Sequence, residues 1–236
     1  VEAAGFTKQD LSRLRNLPGV TQIQARSSLE YDAPDLGADV TLNVHAYDGE
    51  MVLNTPLIRE GSALRATDVK GCLIEEQFAQ AHNLSVGDVI TLTYGSLRQN
   101  FIIRGLVMSA EYMVTTKDVT PDPEHFGFAL ISSQAVPMMP FNDVLVALTD
   151  DADEAQVITE IEELLPTSLV LTQKTHSSTV MARNYTSMFH NLSYVFPVLA
   201  FAVAAMIVVS TLTRMMENQR LQMGTLKALG YRDRQI

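Results

Sequence analysis

The sequence predicts an α+β domain followed by one long helix that crosses a membrane, and three observations carry this. The run Leu192–Thr213, LSYVFPVLAFAVAAMIVVSTLT, has no charged side chain. Arg214, Arg220, Lys227, Arg232 and Arg234 follow it at once. Upstream, short strand-like runs, isolated helical spacings and a mainly β middle succeed one another, which is how separated strands and helices read.

Thr7 followed by Asp10 resembles a capping box, and Leu11, Leu14 and Leu17 share one face until Pro18-Gly19 ends a short first helix. Val20 to Tyr31 reads as a strand of mixed polarity. After a turn at Pro34 to Gly37, Ala38 to Tyr47 alternates Val40, Leu42 and Val44 against polar neighbours, the pattern of a half-buried strand. Gly71 to Ile74 is a brief apolar run. Glu75 to Asn83 then carries Phe78, Ala79 and His82 at helical spacing before a turn at Ser85 to Asp88. Val89 to Tyr94 and Phe101 to Met108 flank the polar stretch Gly95 to Asn100, so a hairpin with a longer loop is expected. Met113 to Phe128, with two prolines and no period, reads as a loop, and Phe128 to Ile131 as a strand.

From Asn142 the expectation is a strand at Val144 to Leu148 and a helix starting at Asp150-Asp151. That helix puts Val157, Ile158, Ile161, Leu164 and Leu165 on one face, and Pro166 stops it. Leu169 to Leu171 supplies a further strand and completes a βαβ-like unit. The unit's acidic outer face, Asp153, Glu154, Glu160, Glu162 and Glu163, reads as solvated surface. Beyond Lys174, Met181, Tyr185, Met188, Leu192, Val195 and Leu199 recur at alternating steps of four and three, a heptad-like seam for packing against a neighbouring helix.

The 22 residues of the apolar run rise roughly 33 Å, enough for a hydrocarbon core of about 30 Å. A buried core helix of this length would carry a polar stripe, and here only Ser and Thr occur, near the ends. Eleven Leu, Ile, Val or Phe side chains favour lipid, and Pro197 is tolerable where a neighbour or a local kink absorbs its missing donor. The 23 residues after Thr213 hold five basic and two acidic side chains, against 12 and 25 in the remainder. Basic residues near a span stay in the cytoplasm, so residues 1–191 are expected outside and 214–236 inside.

An acidic exterior with no aromatic-interleaved basic patch makes nucleic acid an unsuitable partner. The single cysteine, Cys72, cannot close an internal disulfide, so the fold is expected to rest on its apolar core. The chain opens on Val1 without a leader pattern and reads as a fragment of a longer protein. His45, His82, His125, His176 and His190 are scattered without zinc spacing and are expected at surfaces or helix ends. No nucleophile elbow occurs, and Glu75-Glu76, adjacent on a helix, would diverge by about 100°. Gly224-Thr225-Leu226-Lys227 lacks the order of a phosphate loop. No catalytic residue, cofactor or metal is expected.

The tail Thr213–Ile236, TRMMENQRLQMGTLKALGYRDRQI, resembles the post-span segment of FtsX-like permeases of ABC transporters, the family that includes MacB. Leu17-Pro18-Gly19-Val20, Glu60-Gly61 and Leu84 to Asp88 resemble that family's exterior domain. Glu111-Tyr112, Pro121 to Gly127 and Phe141 to Val144 resemble its larger bacterial members. The resemblance implies two exterior lobes, a porter-like one from residues 1–45 and 140–175 and an inserted mainly β one from 46–139. It implies further a stalk helix at 176–191, a transmembrane helix at 192–213 and a cytoplasmic coupling segment at 214–236. Arg220, Gly224, Thr225, Lys227, Ala228, Gly230 and Tyr231 would then meet a separate ATP-binding subunit. Gln222-Met223 stands where many members have Glu-Ile, which removes one charge from that contact.

On this resemblance the chain is expected to be a permease subunit of the bacterial cytoplasmic membrane, not an enzyme. It would pass ATP-driven motion to its exterior domain for export or extraction of a substrate. The lipid bilayer is a partner, and a second permease copy and an extracytoplasmic protein are further ones. The alternative is a non-transporting regulator that activates or recruits an extracytoplasmic hydrolase through the Met113–Phe128 loop.

Overall fold

Thr7 starts the first helix in the computed structural model as the sequence requires. Its hydroxyl accepts from the Asp10 amide at 3.2 Å, and the Asp10 carboxylate accepts from the Thr7 amide at 2.9 Å. The structure describes residues 1–112, 121–173, 175 and 177–230, except for the side chains of 177, 178, 181, 182, 184, 185, 191, 218, 221 and 222. Two compact units divide the chain, Val1–Ala182 and Arg183–Ile236.

The first unit has the order α1 (Lys8–Arg15), β1 (Val20–Asp32), β2 (Thr41–Tyr47), β3 (Leu57–Gly61), β4 (Gly71–Glu75), α2 (Glu76–Ala81), β5 (Val89–Tyr94), β6 (Leu97–Met108), a 3-10 turn (Ala110–Tyr112), β7 (Phe126–Ser132), β8 (Asp143–Leu148) and α3 (Glu154–Leu164). All eight strands belong to one sheet. β1 is long because it serves two partners: Val20–Arg26 pairs antiparallel with β8, and Arg26–Asp32 pairs antiparallel with β2. From β2 the ladder passes through β7, β4, β6 and β5 and returns to β1 through the single pair Asp32↔Thr93, so six strands close on themselves. Closure removes open edges from those six and leaves β8 and β3 outside the ring.

Three apolar clusters follow from this topology. Alternate residues of all six ring strands, among them Tyr31, Leu42, Ile74, Leu92, Phe101 and Ile131, form the largest, to which α2 adds Phe78. The opposite side chains, such as Tyr47, Leu73, Val107 and Phe128, form a second with Leu64. The third joins the two ends of the unit: Phe6, Leu14, Ile23 and Ala25 with Val144, Val157 and Ile161. The α+β class read from the sequence stands.

Several local expectations change. β2 is not half-buried, since only Asn43 is partly accessible; Leu42, Val44 and Ala46 face the ring interior, while Tyr47 lies in the second cluster. The hairpin between β5 and β6 has a two-residue turn, with Tyr94 opposite Leu97. Gly95 adopts φ +57°, the positive angle that the first central position of a tight hairpin turn requires. Six polar-rich residues in a row read as loop, yet four of them lie in β6. The edge strand β3, exposed throughout, lacks an apolar pattern and is absent from the sequence reading. Asp153, not Asp150-Asp151, caps α3, accepting from the Ala155 and Gln156 amides at 3.0 and 3.4 Å. Leu169 forms only a two-bond bridge with Glu2, at 2.9 and 2.7 Å, in place of a third strand. Glu75 ends β4, so Glu75 and Glu76 do not share a helix. Of the loop expected at Met113–Phe128, residues 113–120 lie outside the described residues.

Gly127 shows how tightly the ring is filled. A Cβ there would lie 2.6 Å from Phe78 Cγ and Cδ2 and 2.8 Å from its Cβ, atoms too near the backbone to swing away. Gly127→Ala should cost about 1–3 kcal/mol through overpacking, measured as a shift in the urea midpoint with unchanged slope. A midpoint equal to the parent's would show that the ring can expand.

Candidate functional site

Two features of the molecule bear on function: the last helix with its basic end, and a buried charged cluster in the first unit. The helix α4 runs unbroken from Ser177 to Ala228, 52 residues, with Pro197 inside it. Its apolar span, Thr186–Glu217, covers 32 residues and is longer at both ends than the charge-free run alone suggests. Thr211 and Thr213 turn their hydroxyls back onto the Ile207 and Val209 carbonyls at 2.7 and 2.9 Å, so both are satisfied within the helix, as lipid demands. Phe201, Val198 and their neighbours are exposed over the whole span, an apolar surface far larger than a soluble monomer tolerates.

In the seam, Met188, Leu192, Val195 and Leu199 lie on one helix face and are exposed, while the side chains of Met181 and Tyr185 are not among those described. Of the residues expected from the sequence to meet an ATP-binding subunit, Arg220, Gly224, Lys227 and Ala228 fall on adjoining turns of α4 at steps of three and four, which places them on one face, and Thr225 stands beside it. A methyl group at Gly224 would meet nothing within 4 Å, so the helix itself does not demand a glycine there. Gly230 ends the helix at φ +92°, its amide donating to the Lys227 carbonyl at 3.1 Å, a left-handed cap that glycine adopts without strain. Tyr231 lies outside the described residues.

Sequence reasoning misses the second feature. Arg26 sits where β1 changes partner, opposite both Asp143 of β8 and Tyr47 of β2. Its side chain is buried, and its guanidinium spreads over three elements. Nε donates to Asp143 at 2.6 Å, one terminal nitrogen donates to the Tyr47 hydroxyl at 2.9 Å and to Glu111 Oε2 at 2.8 Å, and the other donates to Glu111 Oε1. Glu111, in the 3-10 turn, also accepts from Asn54 at 3.2 Å. Next to it Tyr112 stacks on Phe128 with ring centroids 4.8 Å apart, accepts from Asn43 at 2.8 Å and shares a hydrogen bond with His45 Nε2 at 2.7 Å.

Electrostatics follow from burial. Burial alone would raise the Glu111 carboxyl, but the hydrogen bonds and charge of Arg26 outweigh it and hold the group down at about 2. Burial opposes the charged Arg26 as well, and its hydrogen bond to Glu111 and the charges around it keep it firmly protonated. His45 is pushed down to about 3, first by burial and then by Arg26, so it stays neutral; it is not a surface histidine, as expected from sequence, but an interior one. The mixed polarity of the strand around position 26 is the only local signal for the cluster in the sequence, apart from Glu111-Tyr112 and Phe141–Val144, which stand out by resemblance. Among the described residues, no three His, Cys, Asp or Glu are grouped to hold a metal.

Comparison with known proteins places these features in a family. The MacB-like periplasmic core domain matches residues 2–164, and the FtsX-like permease C-terminal region matches residues 194–236. Among solved structures, the periplasmic region of MacB from Actinobacillus actinomycetemcomitans is 14% identical, with 70% of this chain and 74% of that one covered at a TM-score of 0.44. The extracellular domain of the noncanonic ABC-type transporter YknZ from Gram-positive bacteria is also 14% identical, with 70% and 87% covered at a TM-score of 0.46. No curated protein matches. With the core-domain match spanning more than half of its length and the permease match falling on its apolar helix and basic end, this chain belongs to the MacB-like, FtsX-like family of ABC-transporter permeases.

Proposed function

We propose that this chain is the part of a permease that carries ATP-driven motion across the bacterial cytoplasmic membrane. In this reading residues 1–191 lie outside and residues 214–236 inside. A separate ATP-binding subunit docks on the face of Arg220, Gly224, Thr225, Lys227, Ala228, Gly230 and Tyr231. The seam from Met181 to Leu199 packs on a neighbouring helix, in this protein or in a second permease copy. The exterior part has a porter-like lobe from residues 1–45 and 140–175 and a mainly β lobe from 46–139, and it acts on a substrate or on an extracytoplasmic protein.

The observation that carries the reading is the continuity of α4. Fifty-two residues of one helix extend roughly 78 Å, more than the full depth of a bilayer with its headgroups, so a push at the basic end has a stiff path to the far end. The clustering of Phe6, Leu14 and Ile23 with Val144, Val157 and Ile161 supports a lobe built from the two outer segments. β1 runs through both proposed lobes, and β2 lends its side chains to the other clusters, so the strands near residue 45 are shared rather than owned by one lobe.

Gly224 supports close approach of a partner, because a side chain there would occupy open space on the face that holds Arg220 and Lys227. Gly224→Trp and Lys227→Glu, each in the complete parent protein purified from membranes with its ATPase, should leave folding intact. Each should lower the coupled ATP hydrolysis at least tenfold. If no ATPase co-purifies, or if both variants hydrolyse ATP as the parent does, the coupling face is wrong.

A further inference from the structure

We infer that the buried cluster of Arg26, Glu111 and Asp143 is a clasp that makes the 3-10 turn after β6, the point of β1 where its partner changes and the start of β8 move as one body. This goes beyond the permease reading and does not depend on it. Arg26 occupies the one residue of β1 that is paired with both β8 and β2, across Asp143 and Tyr47. At that residue the strand passes from the cluster built by the first unit's two ends to the clusters built by that unit's middle. The planar guanidinium donates to Asp143 on β8, to Tyr47 on β2 and twice to Glu111 in the 3-10 turn after β6, so one rigid fork sets the mutual positions of all three.

Glu111 brings a second tie, through Asn54, to the segment between β2 and β3. Tyr112 adds a third, reaching Asn43 and His45 on β2. Stability alone is a poor reason for such a group, since burying three charges is costly and apolar side chains of similar volume would pack at least as well. What an apolar trio cannot supply is direction. A planar donor fork with four bonds is satisfied in one geometry, whereas apolar contacts allow sliding. The geometry therefore suits a joint that must not slip when one of its strands is displaced.

Hydrogen exchange on the full chain in detergent tests this with two variants, Glu111→Gln and Arg26→Lys. The first keeps the shape of the carboxylate and removes its charge. The second keeps the positive charge and removes the fork. In the parent protein, amides of residues 107–112, 25–28 and 143–146 should exchange at a common slow rate. In both variants the 107–112 amides should exchange about tenfold faster or more relative to the β5–β6 hairpin, and so part from the rest of the unit. A uniform acceleration across the first unit would mean that the residues merely contribute stability, and unchanged rates at 107–112 would mean that no clasp exists; either result overturns the inference. Arg26→Lys behaving as the parent while Glu111→Gln does not would likewise overturn it, because charge and not the fork would then be what matters.

Discussion

Arg26→Met should destabilise the first unit by about 3–5 kcal/mol, the usual cost of stripping one partner from a buried ion pair. Glu111, largely buried, and Asp143, buried, would be left close together without the cation they share. The Tyr47 hydroxyl would lose its donor as well. Such a loss is a large fraction of the roughly 5–15 kcal/mol typical of a domain, so the variant should unfold at low urea. The protein has no tryptophan, and far-ultraviolet circular dichroism is the suitable probe. The triple variant Arg26→Met, Glu111→Leu, Asp143→Leu should regain much of the lost stability, because it removes all three buried charges together. A loss below about 1 kcal/mol for Arg26→Met would mean that water reaches the cluster.

Acid should destabilise the first unit in two stages, and the sign follows from the two perturbed groups. His45 has a folded value of about 3 against an ordinary 6.5, so the folded protein holds the neutral ring and the unfolded chain takes up a proton first. Its contribution is complete above about pH 6.5 and declines as pH falls toward 3, by up to about 5 kcal/mol if the interior stays dry. Glu111, held near 2 against an ordinary 4.5, contributes above pH 4.5 and loses that contribution between pH 4.5 and 2. Stability should therefore begin to decline just below neutrality and fall more steeply below about pH 4.5. His45→Gln, whatever its own cost near neutrality, should abolish the slope between about pH 6.5 and 4.5 and keep the lower stage. Persistence of that upper slope in the variant would remove His45 from the account.

The membrane helix is legible in the sequence because its signal is local and one-dimensional. Charge-free length and basic flanks act through nearest neighbours, and the helix from Ser177 to Ala228 agrees with the reading. The first helix and most of β1, β4, β5 and β7 are likewise legible from caps and alternation. β3 and the polar half of β6 are not, since an exposed edge strand and a solvated hairpin carry no apolar alternation to find. The single bridge at Leu169 reads as a strand because three apolar residues look alike whether or not a full partner strand runs beside them.

The proposed coupling face and the buried charged cluster differ in the same way. Arg220, Gly224 and Lys227 lie within about two turns of one helix, so spacing alone brings them together. Glu111 and Asp143 stand 85 and 117 residues beyond Arg26, and nothing in their local sequence calls for a meeting. By itself the sequence determined what depends on short-range forces: the apolar span, the caps and the class of fold. The tertiary structure alone decided that β1 divides its length between two partners, that the ladder closes into a ring, and that His45 and three charged groups lie inside. Those outcomes depend on which distant strands pair, and the burial that holds His45 neutral and the Arg26 contacts that hold Glu111 ionised exist only once they have paired.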